Sequence, residues 1–372
     1  MYINSVDTAC IFERIQSATP SDSDVVCLFF SEHQLPDFEG LIAEANRQGV
    51  HLMGGFFPAI VHGREYHQQG CVISVLPAIT PPLLFKGLDG RSQELEQLNA
   101  FDYLDYQAST LLFVDGQAPN IGAFLRDVYD RLGQRLSYFG GGAGSLSLRQ
   151  RPCVFSNAGI FKNAAVMVGL KANSSLGVRH GWKRLAGPFV ATKTSKNVVE
   201  ELNWENAFEV YKNTVEPTGT APITSNNFFD IAKGFPFGMM HEGHEDIVRD
   251  PISVSADGHL VCVGEVAENS VLHILQGDGD SLIASAARAA QDSVLSLDEK
   301  QASHLLVADC ISRVLFLEER FSEELDAALA QLQGSSPQLE GILSLGEIAS
   351  YGDGSLQFFN KTFVINSLDR IL

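Results

Sequence analysis

The segment 241-HEGHED-246 gathers two histidines and three carboxylates, residue types that bind zinc or move protons. His241 and His244 stand at i, i+3, one residue short of the HExxH spacing, and the glutamate is misplaced for a metalloprotease base. A solvated loop is the expected reading, with zinc at His241 and His244 as the alternative. The stretch 138-YFGGGAGSLS-147 suggests a phosphate loop but has Ser145 where a Gly-Lys pair belongs, and GxGxxG breaks at the same residue. No helix is expected after it to aim amides at a phosphate, so nucleotide binding is set aside. His180 in 177-GVRHGW-182 can act either as a hydrogen-bonded structural imidazole or as an axial haem ligand walled by Trp182. No CxxCH is present for covalent haem, and no GxSxG elbow supports a serine hydrolase.

A further group lies at the ends of expected strands: Cys310, Arg313, Glu347, Asn360 and Thr362. Ligands of α/β sheets bind at strand ends. An arginine and a carboxylate brought together there, Arg313 and Glu347, would clamp the two charges of an amino acid. The other reading is a structural ion pair holding the last β-α-β unit.

The elements that position these residues alternate. Apolar runs at 24–30, 50–57, 71–76, 110–115 and 304–310 read as strands. The second of these is expected to break at Gly54-Gly55. Helices are expected over 36–49, 120–136, 203–213, 280–297 and 320–334, with Asn120 and Asp280 as caps. A hairpin turns at 257-DG-258. The fold class is therefore α/β: two domains with mixed sheets and flanking helices. A polar stretch over 191–226 places the boundary near residue 203, giving domains 1–203 and 204–372.

Three segments share one plan of strand, glycine-rich break, polar excursion and apolar strand: 52–76, 138–170 and 341–365. The fold is thus built partly from repeated strand–Gly-turn–strand units. The glycines either turn the chain at positive φ or let backbone approach a neighbour or ligand. Gly141 and Gly142 are the ligand-side candidates.

Composition narrows the class. The 372 residues carry a net charge of −19, with 45% hydrophobic and 19% charged side chains. No basic stripe exists to displace counterions from nucleic acid or to dock on anionic lipid. The first 24 residues lack a basic start and apolar run, and no window approaches a spanning helix, so a cytoplasmic protein is expected. The six cysteines are scattered, which fits buried thiols in a reducing compartment.

In order along the second half stand 249-RDPISVSADGHLVCVGEVAENSVLHIL-275, 309-DCISR-313, 341-GILSLGEI-348 and 360-NKT-362. This series resembles the C-terminal FIST domain. The first half, with YFGGGAGS and 177-GVRHGWKRLAGPFVATK-193, resembles its N-terminal companion. Two departures stand out: the first glycine turn reads GGFFPA, and Ser312 replaces the usual glycine before Arg313. The resemblance implies a small-molecule-sensing module of signal transduction, not a catalyst, with Arg249, Cys310, Arg313, Glu347, Asn360 and Thr362 at the ligand. Similarity to the NosP-like branch of stand-alone FIST proteins implies haem at His180 and Trp182, nitric oxide as signal, and a histidine kinase as partner. An amino-acid sensor without haem is the alternative. An enzyme using HEGHED as a metal site, or Cys310 as nucleophile, is the competing class.

Overall fold

Each of the three glycine-bearing segments forms the second half of a larger repeat. The computed structural model describes residues 1–18, 20–90, 95–104, 108–295, 302–332, 337–351 and 354–370. The first unit runs β1 (Tyr2–Ile3), α1 (Thr8–Ser17), β2 (Asp24–Ser31), α2 (Phe38–Gln48) and β3 (His51–Phe57). It ends with β4 (Ala59–His62), β5 (Glu65–His67) and β6 (Cys71–Pro77). The second unit has β7 (Leu83–Lys86), a 3-10 turn (Leu95–Phe101), β8 (Ala108–Asp115), α3 (Ile121–Leu132) and β9 (Leu136–Ala143). It closes with β10 (Val154–Ser156), β11 (Gly159–Phe161) and β12 (Ala164–Leu170).

The third unit opens with β13 (Ala172–Arg179) and is then interrupted. The inserted segment holds β14 (Lys183–Ser195), β15 (Val198–Leu202), β16 (Glu205–Asn206), α4 (Ala207–Val215) and α5 (Phe228–Ala232). It continues through β17 (Phe237–Met239), β18 (Ile247–Val254), β19 (Leu260–Val263) and β20 (Val271–Gln276). The unit then resumes with α6 (Gly279–Leu295), β21 (His304–Cys310), α7 (Ile311–Leu317) and α8 (Phe321–Gln331). It finishes with β22 (Leu339–Ser344), β23 (Glu347–Tyr351), β24 (Ser355–Phe359) and β25 (Phe363–Arg370).

In every unit the third strand pairs parallel to the second, and the last pairs antiparallel to it on the other side. The hairpins between them leave for a neighbour. β10 of the second unit joins β3 of the first, β23 of the third joins β9 of the second, and β4 of the first joins β22 of the third. Three six-stranded mixed sheets thereby close into a ring, and the inserted segment folds as a fourth, seven-stranded sheet. Sheets draw strands from both sides of residue 203, which itself lies in the turn between β15 and β16. Phe29, Phe57 and Phe113 pack edge to face at 5.4–6.2 Å where the first two units meet. Among the described residues no helix is long and apolar enough to cross a membrane.

The glycines differ from expectation in one respect. The strands do not break at Gly54-Gly55 or at Gly140–Gly142 but run through them, and none of these five residues has positive φ. Gly54, Gly140 and Gly341 face the carbonyls of Leu28, Leu112 and Val307 in the parallel neighbour. A Cβ would sit 1.9, 1.7 and 1.9 Å from those oxygens. The same close crossing is thus repeated three times, and only glycine permits it.

Other corrections follow from local chemistry. The helix expected from residue 203 begins at Ala207, because Asn203 and Trp204 turn at φ 51 and 65 and Asn206 caps with its Oδ1. Asp280 lies inside the first turn of α6, paired to Arg320, so it is not the cap. Asn120 precedes α3 without a side-chain cap bond. Residues 296–297, 333–334 and 352–353 of the expected elements lie outside the described residues. Gly140→Ala drives a methyl group into the Leu112 carbonyl and should cost about 3 kcal/mol or more in chemical denaturation. Gly90→Ala, where a Cβ would meet only the Gly87 carbonyl at 3.9 Å and φ is ordinary, should stay within about 0.5 kcal/mol.

Candidate functional site

The inserted sheet overlies the strand ends of the third unit, leaving a cleft of about 960 Å³ between them. Its inner end is built by β18. Arg249 is 6% exposed and fixed by three carbonyls: Nε donates to Glu265 at 2.8 Å, and Nη1 to Val248 at 2.9 Å and Phe358 at 3.0 Å. Among the described residues no carboxylate pairs with it. Burial lowers its pKa to about 10, against a partial opposing effect of Cys262 and Glu265, so it stays charged at neutral pH and faces the cleft without a paired carboxylate.

The next residue, Asp250, carries the strongest link between insertion and ring. Its Oδ2 lies 3.1 Å from Lys361 Nζ and accepts Ser312 Oγ at 2.8 Å, with both charged side chains at most 2% exposed. Burial pushes the Asp250 carboxyl up, and Lys361 opposes the rise. Lys361 sits at φ 53, the counterpart of Asn163 at φ 47 and Gly70 at φ 83 just before the closing strands of the other units. Its Nζ also donates to Lys233 O at 3.0 Å and lies 5.2 Å over the Trp182 ring. Asp250 Oδ1 is buried without a hydrogen-bond partner.

Asn360 lines the cleft at 1% exposure with both amide atoms unpartnered. Arg249 and Asn360 meet over one backbone position. A Cβ on Gly264 would lie 3.2 Å from Arg249 Nε and 3.4 Å from Asn360 Oδ1, so glycine there keeps the space between them open. Cys310 also lines the cleft, its thiol pushed well above the ordinary range by burial and by Glu347, which leaves a poor nucleophile. Glu347 lies behind it, fully buried, accepting Ser344 Oγ at 2.6 Å and Thr362 N at 3.2 Å. Burial raises its pKa to about 8, leaving it mostly protonated at neutral pH.

Of the residues expected at the ligand, the structure brings Arg249, Cys310 and Asn360 to the cleft. Glu347 and Thr362 support Cys310 from behind. Gly141 and Gly142 lie inside β9, where Gly141 pairs with Glu347 and Gly142 N donates to Gly346 O at 2.7 Å. Arg313 is placed elsewhere. It is fully buried, pairing with Glu324 and reaching His180 O at 2.6 Å, Lys361 O at 3.1 Å and Leu282 O at 3.1 Å. Glu324, eleven residues on along the chain, and Asp309, 3.4 Å away, take the roles given to Glu347. Burial and Glu324 push the Asp309 carboxyl well above the usual carboxylate range, and Arg313 opposes the rise. Arg313 and Glu347 therefore form no clamp.

His180 Nδ1 accepts the Trp182 amide at 2.9 Å, and its Nε2 lies 3.7 Å from Glu245. Its side chain is 9% exposed, and no histidine lines the cleft. Trp182 packs 5.0 Å from Phe316 and donates Nε1 to Lys361 O. Neither His180 nor Trp182 lines the cleft, and the buried His180 Nε2 has no hydrogen-bond partner. His241 and His244 come within 5.1 Å ring to ring beside Tyr351 in a loop. Among the described residues no group of three ligands is arranged to hold a metal. Sequence reasoning missed Asp250 and Lys361. The signal was a lone lysine between the apolar stretches of FFNKTFVI, which a buried turn does not tolerate unpaired.

The comparisons place the chain. Residues 24–205 match the FIST N domain and residues 207–350 the FIST C domain. This chain belongs to the FIST family. FIST domains are small-ligand-sensing domains of signal-transduction proteins. No curated protein matches the chain. In FIST terms, both matched segments contribute to one ring, which β24 and β25 beyond the second match complete, and the cleft is lined by residues of both segments and of 356–360.

Two measurements test this site. Lys361→Met strands the Asp250 charge and should cost about 3–5 kcal/mol, much of it regained with Asp250→Leu added. Glu347 holds its proton up to about pH 8 when folded, against 4.5 in the unfolded chain. Its contribution is complete below pH 4.5 and is lost as pH rises toward 8. Melting curves across that window should therefore fall more steeply in the native protein than in Glu347→Gln.

Proposed function

We propose that this FIST protein senses a small organic acid of the amino-acid class, held in the cleft under the inserted sheet, and reports occupancy to a signalling partner such as a histidine kinase. The observation that carries this reading is Arg249: a buried guanidinium with no carboxylate partner among the described residues, facing a cleft beside an unpaired amide. A buried charge of this kind attracts a ligand of opposite sign, because the ligand supplies the pairing that the fold withholds. Arg249 is already held on three carbonyls, so little order remains to be gained on binding.

The site also suits transmission. Its walls come from the ring and from the insertion, so a bound molecule touches both and favours one arrangement of the two. Asp250 and Arg249 are neighbours on β18, one fastening the insertion and the other meeting the ligand.

Thermal-shift screening of amino acids and simple carboxylates tests the reading. A ligand at 100 times its dissociation constant should stabilise the protein by about 2.7 kcal/mol. Arg249→Met should abolish that response while far-ultraviolet circular dichroism stays native. Absence of any carboxylate response would sink the proposal, and a nitric-oxide-sensitive Soret band in the purified protein would favour haem instead.

A further inference from the structure

Resting on the ligand site proposed above, we infer that the ligand is a monoanion in which a carboxylate is followed by a neutral secondary amide and an apolar tail. This is the chemistry of an N-acylated amino acid rather than of a free, zwitterionic one. The first argument is charge. Arg249 contributes one positive charge to the inner cleft, and Asp250 is already matched by Lys361 at 3.1 Å. Glu347, behind Cys310, is held mostly neutral by burial. At the mouth Arg126 and Glu265 face each other at 3.7 Å, and Lys196 is exposed. The inner site is therefore short of one negative charge and holds no unmatched carboxylate for a ligand ammonium. A free amino acid satisfies Arg249 but buries its ammonium without a counter-charge.

The second argument is hydrogen bonding. Asn360 offers one unused donor, Nδ2, and one unused acceptor, Oδ1, from a side chain that is 1% exposed. A trans secondary amide points its C=O and N–H to opposite sides, so Asn360 Nδ2 can donate to the C=O while another acceptor takes the N–H, or Oδ1 can accept the N–H. Asp250 Oδ1, also buried and unpartnered, is a second acceptor beside it. Arg249 and Asn360 both line the cleft and approach the same Gly264 backbone, and Arg249 Nη2 keeps its donors while Nε and Nη1 are taken by carbonyls, so one ligand can meet both side chains with adjacent groups. The third argument is size and polarity. Leu125, Phe229, Leu315 and Leu356 line a cleft of about 960 Å³, at the upper end of ordinary ligand pockets. A single amino acid would leave most of that apolar wall uncovered.

Calorimetric titration of the full chain with N-hexanoyl-L-leucine, L-leucine, hexanoate and leucyl-leucine tests the inference. The acylated form should bind at least about tenfold tighter than each of the others. Asn360→Leu, close in shape but without the amide, should remove that preference while leaving carboxylate binding. Should this variant fail to fold, N-methylation of the ligand amide makes the same test on the native protein and should weaken binding about tenfold. L-leucine binding as tightly as the acylated form, or a preference that survives Asn360→Leu or N-methylation, overturns the inference. If L-leucine binds and Arg249→Met abolishes its binding, the site reading stands and only the inference falls. No binding by any of the four overturns both.

Discussion

The ion pair between Asp250 and Lys361 is the contact on which the arrangement of the two layers depends. Each side chain comes from a different layer, and both are nearly sealed from water. Two charges taken out of water are tolerated only when geometry and further hydrogen bonds satisfy them, and here Ser312 and the Lys233 carbonyl do so. Around the pair the backbone is equally constrained: the Lys361 carbonyl receives Trp182 Nε1 and Arg313 Nη1, and Arg249 reaches the Phe358 carbonyl. A shift of the insertion relative to the ring would break several of these bonds together. The cleft is thus bounded by groups whose positions are mutually fixed.

The ring beneath it is governed by a second constraint, the approach of parallel neighbours at Gly54, Gly140 and Gly341. At each the backbone of one strand runs against the carbonyl of the other too closely to admit a Cβ. The third copy has been adapted. Where the other units have Gly70 and Asn163 before the closing strand, it has Lys361, and the inserted sheet supplies the acid that this lysine needs. The cleft lies at the departure from symmetry.

Much of this was legible from local signals. The apolar stripe of Ile121, Phe124, Leu125 and Val128 marks α3, and the three glycine segments mark the repeat. The α/β class with mixed sheets follows from the same alternation. The ring was not legible, because its pairings join residues as distant as Ala59 and Leu343. Of the two readings of glycine, turn or close backbone approach, the second holds for the three crossing glycines, which lie in extended strands, and only tertiary proximity decides between them. At the site, Cys310 and Asn360 were visible from their places at expected strand ends, and Arg249 from the family resemblance. Arg313 was visible too, but its partner was misassigned. Two nearer acids, Asp309 and Glu324, claim it through the fold of α7 and α8, which spacing to Glu347 does not disclose.

The hairpin exchange also bears on the order in which the chain can assemble. β4 leaves the first unit carrying apolar Ala59, Ile60 and Val61, and its pairing partner β22 emerges some 280 residues later. Until then the hairpin of β4 and β5 presents an open strand edge, and β9 likewise waits for β23. A nascent chain must shield these edges through most of its synthesis. The ring therefore makes the first third of the protein dependent on the last, so that translation order, and not only sequence, sets when the sensor becomes a folded object.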